Sequence, residues 1–209
     1  APKPDIEQLT GGYRGTPVLQ LGGDFFVDNL AIAEALDRVF SDQPSLSGPG
    51  SRFIDDAIGH WADELFEPVL RAAVGKFAAD WDPEFRADRQ AVFPHLDFDR
   101  LPDELPNFNH RIVTMVRELS QHLQAHGPFI QGAAATLADI HCWGILWFVL
   151  AGIPEAADSL KDQQTLHDWY SAMEQIGFGE REERDYNHAR GVLAAQASVE
   201  PAIAMSGAT

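Results

Sequence analysis

The chain opens on a β-hairpin with too little around it to bury it, and this limits what the whole can fold into. Thr16-Pro17-Val18-Leu19-Gln20-Leu21 reads as a short strand, Gly22-Gly23-Asp24 as a turn, and Phe25-Phe26-Val27 as the returning strand. Asp28 or Asn29 then caps a helix whose Leu30, Ile32, Ala33, Leu36 and Phe40 keep helical spacing. A polar segment broken at Gly11 and Gly12 precedes the hairpin, and Ser41 to Ser51 mixes Gly and Pro with serines as a linker does. Two strands and one helix are too few to build a core in water. Either the hairpin packs on the rest of the chain, or its sheet has further strands.

Beyond the linker the apolar spacing is helical throughout. A long amphipathic helix is predicted from Arg52 towards Ala79, with Ile54, Ile58, Trp61, Leu65 and Val69 near one stripe and a kink at Pro68. Trp81 to Pro106 holds four prolines and reads as irregular, with one short helix near Phe85 to Val92. A second long helix is predicted for Asn107 to His126, with Ile112, Met115, Val116, Leu119 and Leu123 on one face. Helices follow at Thr136 to Ala151, Ala156 to Leu160, Gln163 to Ile176 and Glu180 to Ala195, then a flexible tail. The predicted organisation is a partial α/β domain over 1–42, a linker over 43–51, an α-helical domain over 52–196 and a tail over 197–209. Cys142 to Ile153 is near-continuously apolar, but it is too short for a bilayer and reads as a buried helix.

Charge removes whole classes of partner. Fifteen Lys and Arg against 32 Asp and Glu leave −17, a surface that repels nucleic-acid phosphates and anionic lipids. A single cysteine forms no intramolecular disulfide and suits a reducing cytoplasm; the N-terminus carries no signal-peptide pattern. His122 and His126 share a helix face, but no third ligand stands at a useful spacing, so no metal is expected and both are read as solvent-exposed. Cys142 is read as a buried, inert thiol, and Trp143 and Trp147 as core.

Two stretches resemble the glutathione S-transferase superfamily. Thr16-Pro17-Val18-Leu19, the hairpin, and Val27-Asp28-Asn29-Leu30-Ala31-Ile32 are similar to the second half of that family's thioredoxin-like domain. Gly132 to Ile140, with Thr136 and Asp139, resembles the signature that opens a central helix of its α-helical domain. The resemblance implies a mainly α fold in which a partial thioredoxin-like hairpin and helix pack on an all-helical domain. It also implies that the small domain lacks its first β-α-β segment, an expectation with which the missing methionine before Ala1 agrees.

By that resemblance the backbone of Thr16 or Val18, beside a Pro17 that tolerates a cis bond, would meet the cysteinyl part of glutathione. Asp28 and Asn29 would hold its γ-glutamyl end, where the family usually has Glu or Gln and Ser or Thr. Both residues are also good helix caps, a sufficient reason for them without any ligand. Trp61 and Phe66 lie on the helix that lines the family's hydrophobic substrate pocket. Thr136 and Asp139 form a capping box and concern folding.

The family's nucleophile activator is a Tyr, Ser or Cys near its first strand, and no residue here matches that position; Tyr13 falls in the loop before the hairpin. The catalytic residue is therefore unknown. The implied activity, for a complete parent, is transfer of the glutathione thiol to small hydrophobic electrophiles by a cytoplasmic homodimer, with glutathione as co-substrate. The alternative is a non-catalytic binding or scaffolding module on the same fold.

Overall fold

A computed structural model of the protein describes residues 3–47 and 52–195. Residues 3–44 and 178–195 form one compact unit, and 45–177 form the other. The last helix therefore groups with the hairpin, whereas the sequence-based division assigned it to the helical domain. The expected tail over 197–209 and linker residues 48–51 lie outside the described residues.

In the first unit, α1 (Pro4–Thr10) precedes β1 (Val18–Leu21), β2 (Asp24–Val27) and α2 (Asn29–Val39), and α9 (Tyr186–Ala195) completes it. The polar start of the chain is thus helical, which its composition did not suggest. Pro4 occupies the first turn, where its missing N–H costs nothing, and Gly11 closes the helix at φ 72. The strands pair antiparallel with Val18 opposite Val27 and Leu21 opposite Asp24. Every strand residue is only half-buried, and Ala33 and Ala35 are the sole buried side chains this unit describes. The hairpin is thus as thinly supported as its sequence suggests.

Two long-range hydrogen bonds explain why α9 belongs here. Gln20 Nε2 donates to the Ala189 carbonyl at 3.1 Å, and Tyr186 Oη donates to Gln8 Oε1 at 2.7 Å. The predicted helix from Glu180 is shorter than expected: Asp185 Oδ1 accepts from His188 N at 2.9 Å, an N-cap that starts it at Tyr186, six residues late.

The second unit holds α3 (Arg52–Phe77), α4 (Pro83–Val92), α5 (Leu101–His126), α6 (Leu137–Gly152), α7 (Pro154–Leu160) and α8 (Gln164–Ile176). A 3₁₀ turn at Ala78–Asp80 ends α3, which runs through Pro68 without a break. The core runs from Leu65, Val69 and Ala72 of α3 through Ile112, Val116 and Leu123 of α5. It continues into Cys142, Leu146 and Val149 of α6 and Leu166 and Trp169 of α8. A smaller cluster, Val74, Ala78, Leu96, Phe98 and Leu101, closes one end.

The second long helix begins at Leu101, six residues before the predicted Asn107. Pro102 sits in its first turn, and Pro106 sits one turn further in, where only its bond to the Pro102 carbonyl is lost. Burial of Leu101 and partial burial of Leu105 and Phe108, at i, i+4 and i+7, outweigh that loss. Among the described residues no single helix is long and apolar enough to cross a membrane.

Candidate functional site

The pairing of Val18 with Val27 carries the chain one step further to Pro17 and Asp28, so these two leave the ladder at the same end of the hairpin. The Thr16–Pro17 peptide is cis. Thr16, Pro17, Asp28 and Asn29 are exposed and Val18 is half-buried, so the five residues named from sequence lie in one accessible region.

Asp28 is the cap of α2: its Oδ1 accepts from Leu30 N at 2.9 Å. Its backbone, at φ 78 and ψ 139, makes it the only non-glycine residue with positive φ among those described. A conformation that L side chains rarely adopt is held here by the helix start and the strand end on either side of it. Capping is therefore a fact of this residue, and the backbone strain is a feature that capping alone does not require.

Lys3 is the residue that sequence reasoning missed. Its Nζ donates to Thr16 Oγ1 at 2.9 Å, bringing a cation to the same end of the hairpin. No local pattern could have found it, since thirteen residues separate the pair and α1 was not foreseen. In a chain of net charge −17, an ammonium held at the Thr16 hydroxyl is a local attraction for an anionic group.

The helical unit has a separate cavity of about 190 Å³ lined by Ile58, Trp61, Glu118, Leu119, His122, Ile130 and Cys142. Trp61 is thus a cavity wall, whereas Phe66 is 39% exposed and is not among the lining residues. His122 is half-buried, not solvent-exposed as read from sequence, because its Nε2 contacts the Ile130 carbonyl at 2.7 Å. A carbonyl only accepts, so that nitrogen carries the proton. His126 stacks on His122 at 4.3 Å between ring centroids. Trp143 stacks on Tyr170, but Trp147 is 46% exposed beside Phe148, so only the first of these tryptophans belongs with the core.

Burial, with the Asp139 charge as a smaller cause, pushes the Cys142 thiol up to about 12. Such a thiol is protonated at neutral pH and is no nucleophile. Iodoacetamide at pH 8 is expected to leave Cys142 unmodified in the folded protein and to alkylate it once urea unfolds the chain; rapid native labelling would refute this. The raised folded-state pKa also sets a sign. Its contribution to stability is intact below the free-thiol value of 9.0 and is lost as pH rises from there towards about 12.

Thr136 and Asp139 form the expected capping box on α6. Asp139 does more than the sequence reading foresaw. Fully buried, it accepts from Thr136 N at 2.9 Å, Ile130 N at 2.9 Å and Trp169 Nε1 at 2.8 Å. It therefore ties α6 to the preceding loop and to α8.

No family model and no curated protein matches the sequence. Solved structures do. A GST-like protein from Pseudomonas syringae superposes with a TM-score of 0.72 at 25% identity, covering 95% of this chain and 63% of its own. A glutathione S-transferase from Actinobacillus pleuropneumoniae gives 0.54 at 17% identity over 91% of this chain and 78% of its own. One from Xylella fastidiosa gives 0.54 at 19% identity over 92% and 81%. The chain thus spans less than two thirds of the Pseudomonas protein it matches.

Proposed function

We propose that this chain, which has the fold of the glutathione S-transferase superfamily with a partial thioredoxin-like part, supplies the γ-glutamyl side of a glutathione site in a protein that conjugates small electrophiles. The observation that carries the reading is the convergence at one hairpin end of Asp28, Asn29, Thr16, Pro17 and the Lys3 ammonium. Asp28 would accept from the glutathione ammonium. Asn29 and the first N–H groups of α2 would face its α-carboxylate, and Lys3 would draw the net negative peptide to a negative protein. The strand edge beside Pro17 would pair with the cysteinyl backbone.

Asp28→Gly separates ligand binding from capping. Glycine as a cap costs only a few tenths of a kcal/mol relative to aspartate, and it relieves the positive φ at this position. Stability is therefore expected to stay within about 0.5 kcal/mol of the parent. Glutathione affinity, read from amide shifts of Val18, Asn29 and Leu30 during titration, is expected to fall about tenfold, because a charge-assisted hydrogen bond is lost. Unchanged affinity would leave Asp28 as a cap alone. Non-catalytic binding on the same fold is the second reading, favoured by Tyr13 standing in the loop before the hairpin and not at the family's activator position. Glutathione binding without conjugation of a chloronitroarene in the full-length protein would select it.

A further inference from the structure

The cavity in the helical unit has a construction that glutathione chemistry does not use. Its floor is Cys142, fully buried, and its walls are Ile58, Trp61, Leu119 and Ile130. The two titratable polar side chains at its rim are Glu118 and His122, one helical turn apart on α5, while Trp61 adds only an indole N–H and Cys142 a weak thiol donor. Glu118 is exposed and His122 half-buried, so the polar side of the cavity is the side that meets solvent.

Both polar groups present acceptors. His122 spends its Nε2 proton on the Ile130 carbonyl, so what the imidazole form of the ring has left to offer is the Nδ1 lone pair. Glu118 adds a carboxylate, and the adjacent Arg117 does not neutralise it at close range, because its guanidinium donates to the Ser159 carbonyl at 3.0 Å. An apolar ligand with an anionic head would meet two acceptors and a chain of net charge −17. A cationic head would meet complementary partners in a site whose low-dielectric walls strengthen the attraction.

Size fixes the rest of the ligand. A cavity of about 150 Å³ lined by aliphatic and aromatic side chains holds one benzene ring. The present volume, about 190 Å³, takes one ring and two or three further atoms. We infer that this cavity is a binding site for small single-ring aromatic amines, with the ring against Trp61 and Ile130 and the ammonium between Glu118 and His122. Trp61 is the residue that the family resemblance assigned to the substrate pocket, but every lining residue belongs to the helical unit, so binding of the amine here needs neither glutathione nor the hairpin.

The test uses benzylammonium, toluene and benzoate, each titrated at millimolar concentration into the whole chain and followed by the Trp61 indole and Cys142 amide signals. Benzylammonium is expected to shift both and to bind at least tenfold more tightly than benzoate. Glu118→Gln should weaken benzylammonium about five- to tenfold and leave toluene unchanged. Glu104→Gln, an exposed carboxylate at the start of the same helix, should change neither. Equal binding of benzoate, indifference to Glu118→Gln, or an equal loss in Glu104→Gln would overturn the assignment. So would silent Trp61 and Cys142 signals. Because the readout contains no glutathione, failure here leaves the transferase reading untouched, and failure of that reading leaves the cavity untouched.

Discussion

Asp139→Ala is expected to cost about 3–5 kcal/mol of stability, the loss typical of removing one partner from a buried charged network. The carboxylate is fully buried and takes hydrogen bonds from the backbone of Ile130 and Thr136 and from the Trp169 indole. Alanine leaves these three buried N–H donors, and the Thr136 hydroxyl that also donates to the carboxylate at 3.2 Å, without that acceptor; each costs about 1–3 kcal/mol, less what local relaxation and entering water recover. A chain of this size should melt about 10 °C or more lower. Asp139→Asn keeps one oxygen for Ile130 and Trp169 but turns an amide N–H₂ towards Thr136 N, so it should fall between parent and alanine. Thr136→Ala, which removes the capping hydroxyl with its bonds to Asp139 and Gln131 but leaves the carboxylate in place, should cost about 1–2 kcal/mol. The measurement is urea unfolding followed by tryptophan fluorescence. A loss below 1 kcal/mol in Asp139→Ala would show that the network does not hold the unit together. If that variant does not fold, the order parent, Thr136→Ala, Asp139→Asn remains the test.

The capping box was legible because it is local: Thr and Asp three residues apart before an apolar run are enough to name it. What Asp139 does across the chain was not legible, since Trp169 lies thirty residues further on and nothing near it marks the indole as a donor to α6. The same division applies to the candidate glutathione site. Pro17, Asp28 and Asn29 stood out through turn and cap chemistry, and the ladder set by Val18 and Val27 brings them to one end. Lys3 did not stand out, because only folding of an unforeseen helix brings it to Thr16. Phe66 was named from its helix alone, and its ring is 39% exposed. Periodicity says that a helix has a buried face, but several turns of that face bury different things, and only packing says which turn borders a cavity. The misjudged start of α5 shows the same division. Pro106 reads as a stop signal at short range, and the burial of Leu101 overrides it at long range.

Gly75→Val tests that long-range override directly. In sequence Gly75 is a defect, a residue that weakens an α-helix by about 1 kcal/mol relative to alanine. In the structure it is where α3 makes a close approach to the first turn of α5. A Cβ placed there would lie 3.0 Å from the Leu101 carbonyl carbon, 3.0 Å from its Cβ and 3.1 Å from its oxygen. Two of these are backbone atoms of the first turn of α5, so no side-chain rotation can clear them. Valine adds two further methyls to that contact. To accept them α5 must retreat, opening the cluster of Val74, Ala78, Leu96, Phe98 and Leu101. The expected net loss is about 3 kcal/mol, at the upper end of overpacking and after allowing for the better helix propensity of valine. Gly75→Ala should lose about 1 kcal/mol, since its propensity gain offsets much of a smaller clash. Hydrogen exchange locates the effect: amides of Leu105 and Phe108 should lose protection in Gly75→Val while those of Leu119 and Leu123, at the far end of α5, keep theirs. If both variants matched the parent in stability and exchange, Leu101 would not be what starts this helix. The local proline signal at Pro106 would then have been the better guide to where α5 becomes rigid.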